Sequence, residues 1–107
     1  MLQRLGSRAM PLEKTITNSI IRYAKEAGLW HMKIHGGPYQ TPGIPDLLII
    51  KEGRAYFLEV KQPGKRPTKL QEQRMADIRK RGKAVAECVT SREQAEEVLN
   101  GLHHQPR

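Results

Sequence analysis

Residues 43–61 read GIPDLLIIKEGRAYFLEVK, two runs rich in branched and aromatic residues joined at Glu52-Gly53. Such runs form strands, and a two-residue linker containing glycine joins them as a hairpin. With Glu52 and Gly53 as the whole turn, Lys51 faces Arg54, and continuing that register sets Asp46 opposite Glu59. Opposed residues project from one face of a sheet with β-carbons roughly 4.5–5.5 Å apart, and like charges placed there repel. A sequence shaped only for stability avoids that pairing. A hard divalent cation turns it into ligation, because such ions take one or two carboxylates together with water and phosphate oxygens. Lys61 joins the same face, since side chains in a strand repeat every second residue. A bulge at the turn would slip the register by one and send Asp46 to the other face, while Glu59 and Lys61 would stay together.

Upstream, Pro11 suits a first helical turn, and Ile16, Ile20, Ala24 and Ala27 recur at helical spacing before Gly28, so a helix is expected over residues 11–27. Glu13 precedes Ile20 by seven residues and falls within about 20° of it on the helical wheel, which predicts that it faces inward. The alternative is an ordinary acidic residue in a first turn. Residues 30–35 alternate loosely as a strand, and the glycines and prolines of residues 36–45 mark a loop. Tyr39 in that loop is available to stack on a base, or simply packs there.

Downstream of Lys61, Thr68 and Gln71 form a capping pattern for a helix reaching about Arg81, with Gly82 after its last turn. Gln71 shares a face with Met75 and Ile78, so its amide is a candidate for the same cleft as well as for the cap. Residues 84–89 read as another strand, and Ser91 with Gln94 opens a last helix through Leu99. The order is α-β-β-β-α-β-α, an α/β arrangement of a mixed sheet flanked by helices. We expect a single domain over residues 1–107, with a core of about 11–100 and frayed ends at 1–10 and 101–107.

The chain carries 19 Lys and Arg against 11 Asp and Glu, a formal charge of +8. Between Lys61 and Lys83 stand nine bases and two acids, so nearly the whole excess lies there. Such a run is either a solvated helix face or a footprint for a polyanion, and a catalytic site beside it favours nucleic acid. The longest aliphatic run, residues 47–50, is far short of the roughly 20 apolar residues of a membrane helix. No secretory h-region opens the sequence, so an intracellular protein is expected, whether cytoplasmic, nucleoid-associated or in a viral-replication context. Cys88 is the only cysteine and sits in an apolar run, which excludes an internal disulfide and predicts a buried thiol. His31 and His35 cannot share a zinc ion, because i and i+4 in a strand stand roughly 13 Å apart. His103 and His104 belong to a solvated tail.

Pro45-Asp46 and Glu59-Val60-Lys61, on the two strands of one hairpin, resemble the PD-(D/E)xK nuclease superfamily. Gly43 to Leu48, then Phe57 to Lys61, then Thr68 and Gln71 ahead of a basic helix, resemble its virus-type replication-repair nuclease (VRR-NUC) family, and the likeness runs from Glu13 to about Leu99. The resemblance implies a restriction-endonuclease-like core and Mg²⁺- or Mn²⁺-dependent hydrolysis of DNA. It implies metal ligation by Asp46, Glu59 and the backbone carbonyl of Val60, with Glu13 completing the shell directly or through water. Lys61 would be the catalytic lysine, and Gln71 matches the glutamine of the following helix. Phosphate contacts are expected from Lys65, Arg66, Lys69 and Arg74. Single-domain relatives are similar to Holliday junction resolvases, which implies a homodimer acting on junctions or other branched DNA, with no organic cofactor and no membrane partner. The alternative is a module of the same fold that binds DNA without cutting it.

Overall fold

The computed structural model describes residues 10–34 and 41–102. His35, Tyr39, the first half of the Gly-Pro loop, and His103 and His104 lie outside the described residues. Seven elements follow one another: α1 (Glu13–Glu26), β1 (Trp30–Lys33), β2 (Leu47–Lys51), β3 (Arg54–Val60), α2 (Lys69–Gly82), β4 (Val85–Val89) and α3 (Arg92–Leu99). The expected order α-β-β-β-α-β-α is the observed one. The helical ends differ in detail. Leu12 stands at the N-cap of α1 without a side-chain cap bond, so Pro11 precedes the first turn instead of opening it. At the end of α2 the left-handed residue is Lys83, with φ 57°, one place beyond the glycine expected to stop the helix.

The sheet runs β1-β2-β3-β4, antiparallel through the first three strands and parallel between β3 and β4. Its register is set at the hairpin, where Lys51 pairs with Arg54 and Leu47 with Leu58. Glu52 and Gly53 both take positive φ, 51° and 79°, the condition for a type I′ turn whose twist matches that of the strands. No bulge intervenes, and the slip considered above does not occur.

Alternation along the strands sorts two faces. Leu47, Ile49, Tyr56, Leu58, Val60, Val85 and Val89 join Ile16, Ile20 and Ala24 of α1 and Ala95, Val98 and Leu99 of α3 in one apolar core. Their neighbours in sequence point the other way, toward the side that α2 covers over β4, where Met75 and Ala86 are buried outside that core. Arg79 of α2 donates to the backbone carbonyl of Ala86 and fastens helix to strand. Toward β1 the same face is open, and Trp30, Met32 and Ile50 are exposed. Among the described residues no helix is long and apolar enough to cross a membrane.

Candidate active site

Asp46 enters the sheet one residue before β2. Its amide donates to the Leu58 carbonyl at 3.0 Å, and its own carbonyl accepts from the Ile34 amide at 2.8 Å, so its backbone is held from both neighbouring strands. The hairpin register runs as far as Leu47 opposite Leu58, and just beyond it the Asp46 and Glu59 carboxyl groups are close enough to interact. The Asp46 side chain is oriented by a further bond, in which the Val60 amide donates to Oδ2 at 2.8 Å.

Glu59 lies one residue from the end of β3 and is only 2% exposed. Its Oε2 is 3.7 Å from the Lys61 ammonium, while its Oε1 is buried with no hydrogen-bond partner among the described residues. Burial, then the charge of Asp46, raise the Glu59 carboxyl to about 7, and Lys61 opposes them only in part. Asp46 is also raised above its ordinary value, chiefly by burial, against which the Val60 amide works. Cys88 pairs with Glu59 across β3 and β4, and burial with the Glu59 charge pushes its thiol up to about 11. Half-buried and protonated, it is an inert neighbour and not a nucleophile.

An arrangement of two desolvated carboxyl groups is costly when both are charged, and it is relieved by a proton shared between them or by a bound cation. Among the described residues no three His, Cys, Asp or Glu side chains form a metal-holding group. A hard ion that keeps most of its shell as water and phosphate oxygens does not need three. Asp46 and Glu59 therefore fit such an ion, and Glu59 Oε1 is the donor that lacks any other use.

Glu13, expected to face inward, is exposed at the first position of α1. The helical wheel places it near Ile20 in angle, but the core begins only at Ile16, one turn further in. Its charge still raises both Asp46 and Glu59. The approach to α1 is tethered beside the site by Gln62, whose Nε2 donates to the Pro11 carbonyl at 3.1 Å. Gln71 is engaged in the cap: its Oε1 accepts from the Thr68 amide at 2.8 Å, and its amide donates to Thr68 Oγ1 at 3.1 Å. Only its Nε2 donors are left for a second role.

Lys65, Arg66 and Lys69 are exposed, as phosphate contacts require. Arg74 differs. It is partly buried, and its Nε donates to the Pro42 carbonyl at 2.8 Å, which ties the side chain to the chain's own backbone while its terminal amino groups are left for a phosphate. Sequence reasoning missed this because an arginine within a basic run carries no mark of an internal partner. Gly43, read there as a loop marker and as the start of a motif but not as a packing contact, was the available signal.

No protein-family model matches the sequence. No curated protein matches it either. Among solved structures, one described as a "VRR_NUC domain" matches with a TM-score of 0.63 and 26% sequence identity, over 87% of this chain and 100% of that one.

Proposed function

We propose that this chain, which belongs to the VRR-NUC family and has the fold of a nuclease-type domain, is a Mg²⁺- or Mn²⁺-dependent deoxyribonuclease. The observation that carries the reading is Glu59, buried against Asp46 with an oxygen that has no hydrogen-bond partner among the described residues and the Lys61 ammonium beside it. A module that only binds DNA gains nothing from an arrangement costing several kcal/mol.

Asp46, Glu59 and the Val60 carbonyl would hold the ion, and Glu13, being exposed, would reach it through water. When bound, the metal would supply Lewis acidity at the scissile phosphate and an activated water. Every other part belongs to the chain. The Val60 amide fixes one Asp46 oxygen and so aims the other. Lys61, 3.7 Å from Glu59, would orient the attacking water or counter charge gathering on the phosphate. Gln71 would add an amide donor at the helix end. Lys65, Arg66 and Lys69 would neutralise flanking phosphates without reading sequence.

Branched DNA, a Holliday junction in particular, is the proposed substrate, cut by a twofold dimer acting inside the cell. The exposed Trp30, Met32 and Ile50 along the open side of the sheet, at edge strand β1, support a second copy as the partner. Incubation with labelled junctions, flaps and linear duplexes, with Mg²⁺, Mn²⁺ or EDTA, tests the proposal. Metal-dependent cutting favouring junctions is the expected result. Binding without cutting under all conditions would establish the non-catalytic module instead.

A further inference from the structure

Arg74 lies on the helix expected to meet DNA, yet its guanidinium faces the segment that delivers Asp46. Its Nε holds the Pro42 carbonyl at 2.8 Å. The next residue, Gly43, has φ 78°, and a β-carbon there would come within 2.8 Å of Leu70 Cγ and 3.2 Å of both Leu70 backbone carbon and Arg74 Cγ. Residues 42 and 43 are thus pressed onto the first turns of α2, closer than any side chain allows. Two residues on, Pro45 is fully buried and Asp46 follows it. The chain between the Arg74 bond and the Asp46 carboxylate is short and pinned at both ends.

We infer that Arg74 is a positioning residue for Asp46: by clamping the Pro42 carbonyl while Gly43 permits contact with Leu70, it registers the metal-binding loop on α2. This inference rests on the reading of Asp46 as a metal ligand. It separates the four basic residues first grouped together, leaving Lys65, Arg66 and Lys69 to phosphate and giving Arg74 to the loop. Hydrogen-bond partners that contact a ligand directly change metal affinity by about 10–100-fold when removed, and Arg74 stands one step further back, on the backbone four residues before Asp46. Asp46 also has backbone bonds to two strands, so the lower end of that range applies here.

The test is calorimetric Mn²⁺ titration of wild type, R74A, R74K and R79A without DNA, paired with the salt dependence of duplex binding in EDTA. R74A should raise the Mn²⁺ concentration for half-saturation about tenfold. R74K, which keeps a donor, should recover part of it. R79A removes an equivalent helix-to-backbone bond away from the loop and should leave metal binding unchanged. The salt slope for DNA should be the same in R74A as in wild type, since loss of a phosphate contact would lower it by about 0.9. Should R74A fail to fold, G43A addresses the same contact and should weaken Mn²⁺ binding likewise. If wild type binds Mn²⁺ and R74A matches it, or R79A weakens binding equally, the positioning role is overturned. If wild type takes up no Mn²⁺, the metal-site reading falls and this inference with it.

Discussion

Replacing Glu59 by glutamine preserves the shape of the side chain and removes its charge, which isolates what the buried carboxylate does to the fold. In metal-free protein, burial and Asp46 raise Glu59 from 4.5 to about 7. The unfolded chain therefore loses this proton near pH 4.5 and the folded chain near 7, so between those values the folded state binds the extra proton. Stability from this group is complete below about 4.5 and falls as pH rises through 7. A difference of about 2.5 pH units at about 1.4 kcal/mol each gives about 3.5 kcal/mol as an upper figure, and about 3 kcal/mol once some solvent screening is allowed for. Glu59 is 2% exposed, so solvent screening does not diminish the figure greatly. Urea unfolding followed by circular dichroism from pH 4 to 8 in EDTA would measure it. The stability of wild type minus that of E59Q should fall by about 3 kcal/mol across the window, because the other groups largely cancel. A difference that stays level with pH would show that the carboxyl is not desolvated as described. Above pH 7, Mn²⁺ should restore wild type more than E59Q, since only the wild type offers two carboxylates to the ion.

Lys61→Ala should leave duplex affinity close to wild type while abolishing Mg²⁺-dependent cleavage, and a variant still cutting at the normal rate would remove Lys61 from the mechanism. Asp46→Asn loses a ligand charge but keeps an acceptor for the Val60 amide; it should fold normally and weaken Mn²⁺ binding in calorimetry, so an unaltered titration would mean the ligand is misassigned. Thr68→Ala breaks the reciprocal capping bonds of α2 and should cost about 1 kcal/mol in thermal unfolding; no loss would mean that the cap contributes nothing. Trp30→Glu should give a monomer by sedimentation if the exposed side of the sheet joins two copies, whereas an unchanged dimer would place the interface elsewhere.

The hairpin was legible because its information is local. Two positive-φ residues, Glu52 and Gly53, set the pairing, and every residue from Leu47 to Leu58 follows from it by alternation. The cap at Thr68 and the order of elements were readable for the same reason. Glu13 shows where local patterning ends: angle on a helix is given by sequence, but depth depends on where the sheet lies, and the core starts a turn later. Arg74 shows the same limit from another side. Its partner is the carbonyl of Pro42, 32 residues earlier in the chain, and a backbone acceptor leaves no trace in composition. The desolvation of Glu59 is likewise collective, produced by the sheet and helices packed around it and not by its neighbours in sequence.

Anomalous diffraction from crystals soaked in Mn²⁺ would examine the paired carboxylates most directly. The predicted result is a single strong group of peaks between Asp46 and Glu59, touching the Glu59 oxygen that otherwise has no partner. Ordered carboxylates with manganese bound only elsewhere, or nowhere at saturating concentration, would contradict it.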